Sequence, residues 1–209
     1  EKLSEVHLDA VPLSSSHLDR RIRASLRSLG IQETQGLTLS NERDQFERVR
    51  WPAIGGLSVI SNPITIDHTL LRQYILPSLL RLLAANRHHE LPQKVYELGE
   101  VVRDSVNSTR VAWACAEVGG GFTAAKGVAQ AVLRDLGADM GAVVFEATEA
   151  ARGPWIAGRG ARVLVSGEEL GQFGEIDPAV GHEFGLRSPI HAGEFDIEAA
   201  GRLIPKPVH

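Results

Sequence analysis

Short apolar and β-branched stretches crowd the last third of the chain, at residues 141–147, 161–165, 170–176 and 190–197. Parallel neighbours need crossovers of a dozen or more residues, whereas antiparallel neighbours need only a turn. The segment Ser166-Gly167-Glu168-Glu169 supplies such a turn between the second and third stretches. Residues 94–102 and 110–118 read as another antiparallel pair, and residues 31–39 mix polar and apolar positions as a half-buried strand does. A sheet dominated by antiparallel neighbours is therefore expected.

Helical spacing is predicted on both sides of these strands. Leu18, Ile22, Leu26 and Leu29 form a stripe over residues 14–29, with Ser14, Ser15 or Ser16 available as N-cap and Gly30 placed to stop the helix. Ala125, Val128, Ala129, Val132, Leu133 and Leu136 share one face of residues 124–136, and Gly137 follows at the stop position. Between them, Asp67 is placed to cap a short helix through Leu71, and Pro77 suits the first turn of a second one bearing Leu79, Leu80, Leu82 and Leu83. Residues 41–50 are polar, like an exposed turn or short helix. The fold class expected is α+β: an antiparallel sheet flanked by helices, with residues 14–209 as a single domain. Residues 1–13 read as a lead-in from an upstream region, because Glu1-Lys2-Leu3 lacks an initiating Met.

Composition narrows the functional classes. At 209 residues and 43% hydrophobic, the chain can bury one sizeable core. Its net charge of −4 gives no global basic surface, so any RNA contact is local or shared with a partner. The four arginines Arg20, Arg21, Arg23 and Arg27 are one local candidate, although such a run is more often a solvated helix face. The sole cysteine, Cys115, rules out an internal disulfide and a cysteine-built zinc site, and its apolar neighbours mark it as a buried strand residue. No run reaches the roughly 18 apolar residues of a membrane span, so a soluble cytoplasmic protein is expected. Gly119-Gly120-Gly121 lacks the rest of a phosphate loop, His88-His89 has no third ligand at a recognisable spacing, and no Gly-x-Ser-x-Gly elbow occurs. The residues thus offer no self-contained catalytic motif, and no catalytic, cofactor-binding or metal-binding residue is expected.

Four blocks in one order carry a resemblance. The first is the helix from Arg21 to Gly30 followed by Ile31-Gln32-Glu33. The second runs from Ser61-Asn62-Pro63-Ile64 through Leu71-Arg72-Gln73-Tyr74-Ile75-Leu76-Pro77, then Asn86, to Tyr96-Glu97-Leu98-Gly99. The third is Phe122 to Gly137 with Lys126-Gly127, and the fourth contains Gly171, Gly174, Glu175, Pro178 and Glu194. Together they resemble the β chain of phenylalanyl-tRNA synthetase, in its C-terminal catalytic-like region.

The resemblance implies a core like that of class II aminoacyl-tRNA synthetases and a catalytic α partner chain in an α2β2 heterotetramer. ATP and Mg would belong to that α chain, with tRNA met through the holoenzyme. It also implies assembly through the leading helix, here Leu18, Ile22, Leu26 and Leu29. Acids stand where a working core of this kind needs cations: Glu97 and Glu100 on one strand, Glu194, Asp196 and Glu198 near the end. Their repulsion of a triphosphate would leave the fragment non-catalytic. Asn62, Pro63, Arg72, Pro77, Asn86, Glu97, Gly99, Gly127, Gly174, Glu175 and Glu194 are then expected to be structural: Asn62-Pro63 fixing an extended entry to a helix pair, Arg72 and Glu97 forming an ion pair, and the glycines serving tight turns or close contacts. The alternative is a stand-alone β-chain paralogue that binds a protein or a small molecule.

Overall fold

The computed structural model describes residues 14–149 and 152–204. Its frame is a seven-stranded sheet built from β1 (Gln32–Glu33), β4 (Gln93–Arg103), β5 (Val106–Ala116), β6 (Val143–Ala147), β7 (Trp155–Val165), β8 (Glu168–Ile176) and β9 (Ile190–Asp196). The order is β1-β4-β5-β9-β8-β7-β6. Every pairing is antiparallel except β1 with β4, which is parallel and joins Gln32 to Val95. A separate pair links β2 (Leu39–Ser40) to β3 (Leu70–Leu71).

One inner strand, β5, explains how the layers form. On β5, Val111, Trp113 and Cys115 point to one core, while Ala112, Ala114 and Ala116 point to the other. Successive side chains of a strand alternate between faces, so a strand covered on both sides reads as a continuous apolar run. The first core is closed by α1 (Ser14–Ser28), α3 (Phe122–Leu136) and α5 (Ile197–Leu203). The second is closed by α2 (Leu76–Ala85) and α4 (Pro178–Glu183).

The helical punctuation holds where periodicity was strong. Gly137 ends α3 in the left-handed conformation at φ 90°, and Gly30 does so after α1 at φ 72°. Pro77 lies in the first turn of α2, and Asn86 ends that helix by donating from Nδ2 to the Leu82 carbonyl at 2.9 Å. Ser166 and Gly167, both at positive φ, turn β7 into β8.

Three expectations fail. The strand expected over residues 31–39 is only β1 and β2, because β1 pairs with β4 at Gln32 and Glu33 alone and β2 pairs with β3 instead. Between them a Cβ on Gly36 would stand 3.0 Å from Glu97 Oε2. No helix follows Asp67: the Thr69, Leu71 and Arg72 amides donate across to Ser40, Ser58 and Thr38, so the segment becomes β3. Asn62-Pro63 therefore leads into an exposed loop rather than a helix pair. Periodicity also missed α4 and α5, which are too short to show a stripe. Their signals are caps: Asp177 accepts from the Ala179 amide and Asp196 from the Ala199 amide, each at 2.8 Å.

Candidate functional site

A cleft of about 340 Å³ opens on the α2 face of the sheet, at the β4–β5 hairpin end, between Trp51, Tyr74, Arg103, Arg110, Gln172 and Glu194. Its polar floor is a chain of bonds that begins on β5. Arg110 Nε donates to Glu194 Oε1 at 2.6 Å, and Arg110 Nη1 reaches Asp196 Oδ2 at 3.3 Å. The other oxygen of Glu194 accepts the Ile75 and Leu76 amides at 3.0 and 2.9 Å. Those amides are orphan donors at the start of α2, so one buried carboxylate both neutralises an arginine and caps a helix.

Two glutamines join the loops to this floor. Gln45 Oε1 accepts the Gln73 and Tyr74 amides at 2.9 Å each, while its Nε2 donates to Ser40 Oγ and to the Tyr74 carbonyl. Gln73 in turn accepts the Ile54 amide at 2.7 Å and donates to the Ile54 carbonyl at 2.8 Å. The cleft wall is aromatic: Trp51 lies 4.6 Å from the Tyr74 ring and 6.0 Å from the Trp155 ring. Both indole N–H groups donate to Gln172 Oε1, at 3.4 Å from Trp51 and 3.1 Å from Trp155. Burial raises the Tyr74 phenol to about 12, and its hydroxyl donates to the Pro52 carbonyl at 2.8 Å.

Arg103 is the cleft's other cation. It donates to the Gln73 carbonyl at 3.0 Å and lies 5.1 Å from the Tyr74 ring centre, and burial, with Arg110 beside it, lowers its pKa. Its Nε is buried without a partner among the described residues.

These contacts revise the electrostatic expectation. Glu194 does not stand as a free anion, because Arg110 and two helix amides hold it. Glu97 is outside the cleft: it pairs with Arg72 at 2.6 Å, both side chains being 2% exposed. The Arg72–Glu97 pair expected from the sequence is thus present. Gly99 makes room for it, since a Cβ there would meet Arg72 Nη2 at 2.6 Å. The cleft's arginines and acids are bound to one another and to backbone, which limits their freedom to clamp a nucleotide.

The remaining sequence-predicted residues scatter. Gly174 passes so close to β7 that a Cβ would stand 2.5 Å from the Arg159 carbonyl oxygen, and Glu175 accepts from Arg159 at 2.8 Å. Gly127 does not serve a close contact: nothing lies within 4 Å of where its Cβ would be. Ile22 and Leu26 are fully buried in the core shared with α3, and Leu18 packs half-buried against it. Only Leu29, 38% exposed, lies on the surface. The stripe expected to meet a second chain is thus largely covered by this one. Arg23 and Arg27 converge on Glu33, where their hydrogen bonds and that of Tyr96 outweigh burial and lower its pKa to about 2. Burial raises the Cys115 thiol to about 12, which leaves it protonated and unreactive. Sequence reasoning missed Gln45, Gln73, Trp51, Arg110 and Gln172, whose partners are distant in the chain and give no local pattern.

The family model described as "Phenylalanyl tRNA synthetase beta chain CLM domain" matches residues 3–197. The chain belongs to this family. Phenylalanine–tRNA ligase β subunits are among its relatives. That of Methanopyrus kandleri is 40% identical over 185 residues, covering 85% of this chain and 31% of the relative. Those of Methanothrix thermoacetophila and Methanococcoides burtonii are 33% and 36% identical, over 89% and 84% of this chain and 33% and 32% of their own lengths. This CLM-domain chain therefore spans about a third of the relatives it matches. Among its described residues no helix is long and apolar enough to cross a membrane.

Proposed function

We propose that this chain is the assembly domain of a phenylalanine–tRNA ligase β subunit, a class II synthetase-like core without its chemistry. It supports ATP-dependent charging of tRNA(Phe) by a separate catalytic α chain in the cytoplasm, within an α2β2 heterotetramer. Residues 14–209 act as one domain and residues 1–13 lead into it. The observation that carries this reading is the Arg110–Glu194–α2 connection. An arginine bound to two carboxylates cannot also present its full charge to a transferring phosphoryl group, and such charge stabilisation is most of what a protein supplies in that chemistry. ATP and Mg accordingly belong to the α chain. Of the α1 stripe, the edge at Leu29 is what the core leaves open for assembly.

The test is light-scattering mass on a sizing column for this chain, the α chain and their mixture, with ATP–pyrophosphate exchange assayed on each. A stable mixed complex, with exchange present in α and absent from this chain alone, is expected. Separate elution, or exchange by this chain alone, overturns the proposal.

A further inference from the structure

A second concavity, of about 730 Å³, lies at the opposite end of the strands from the cleft, where α2 and α4 finish and β4 begins. Arg87 and His88 line it from one side, His182 and Arg187 from the other, and its lining contains no Asp or Glu. Its floor is apolar: Leu83 and Leu186 are 2% and 5% exposed. Most described arginines are held by carboxylates, Arg23, Arg72, Arg110 and Arg162 among them. Arg87 and Arg187 are both exposed, and among the described residues neither guanidinium has an ion pair or a side-chain hydrogen bond.

One backbone feature draws the two sides together. Gly185 adopts φ +80°, and a Cβ there would come 3.6 Å from Arg87 Nη1, so the guanidinium of the α2 side lies against the loop that carries Arg187. Cations near helix C-termini also offset the helix dipoles. Two helix ends contribute about one negative charge between them at most. Two guanidiniums exceed that, so the concavity stays positive.

We propose that this concavity binds the phosphate of a nucleotide, the guanidiniums of Arg87 and Arg187 holding its oxygens and Leu91, 40% exposed in the lining, lying against the base. Guanidinium forks match phosphate oxygens, and a flat base covers apolar surface that would otherwise face water. The nucleotide is either free or part of an RNA strand. The site shares no lining residue with the cleft and does not depend on association with an α chain.

Fluorescence anisotropy on the whole 209-residue chain tests this. One arm uses a labelled single-stranded oligoribonucleotide and the other labelled AMP, each at several salt concentrations. Arg87→Gln/Arg187→Gln is expected to weaken binding about tenfold or more, as loss of charge-assisted contacts does. On the RNA arm it should also reduce the salt slope by roughly 0.7, the value for one phosphate contact to a single strand. The control is Arg134→Gln/Arg202→Gln, which removes the same charge from exposed positions on the opposite helix layer. Arginine-dependent binding of AMP identifies a free nucleotide as the source, and such binding of the oligonucleotide alone identifies RNA. Failure of both probes to bind, or an equal loss in the control, overturns the site.

Discussion

On the α1–α3–α5 side, Trp113, Phe173 and Phe195 meet Ile22, Leu26, Val132 and Leu133 in an almost wholly apolar core. On the α2–α4 side, the same sheet buries Arg72 with Glu97, Arg110 with Glu194, and the side chains of Gln45 and Gln73. The first face gains stability from area removed from water, through contacts that are non-directional. The second holds loops and a helix start at fixed positions through directional bonds, each of which is costly if left unmade. Trp113 shows that even the apolar face has one exacting contact: a Cβ on Gly193 would stand 2.3 Å from its ring, so only glycine fits opposite.

The largest expected effect breaks the apolar face. Ile22→Asp/Leu26→Asp buries two carboxylates without partners, a cost comparable with the roughly 5–15 kcal/mol stability of a whole domain. Circular dichroism should show an unfolded chain. A folded variant that merely loses a partner would show that α1 is an interface helix instead.

Next in size is the contrast between breaking and replacing a buried ion pair. Arg72→Met is expected to destabilise by about 3–5 kcal/mol in urea unfolding, because Glu97 is left buried and uncompensated. Arg72→Met/Glu97→Leu should recover most of that loss. If the double variant is as unstable as the single one, the pair is stabilising in itself rather than a device for positioning the loop.

The smallest effect lies at the edge of the apolar face. Glu33 has its pKa lowered in the fold from 4.5 to about 2, so its contribution is present above pH 4.5 and fades as pH falls toward 2. Acid titration of stability should therefore separate the wild-type chain from Glu33→Gln near neutrality, and the two curves should converge at the acid end. A constant separation down to pH 2 would mean that Glu33 acts through packing.

Legibility in the sequence divides along the same line. The apolar face was largely readable, because Leu18-Ile22-Leu26 and Ala125-Ala129-Val132-Leu136 repeat at helical spacing and caps fall at Gly30 and Gly137. The polar face was not. Gln45 meets Gln73 across 28 residues, and Arg110 meets Glu194 across 84. No local pattern signals either contact, and counting acids along one strand mistook neutralised groups for free anions. Arg72 with Glu97 was the exception, reached through family resemblance rather than periodicity. Short α4 and α5 were hidden because a helix of two turns shows caps before it shows a stripe.

Glu194 has a consequence for how this fold can change over evolutionary time. Replacing it with a cation would uncap α2 and set two like charges against each other on neighbouring strands. No single substitution there leads toward a nucleotide-clamping cleft without first passing through a less stable protein. A chain with that change would start from lower stability, so this position resists exchange of its acid for a cation.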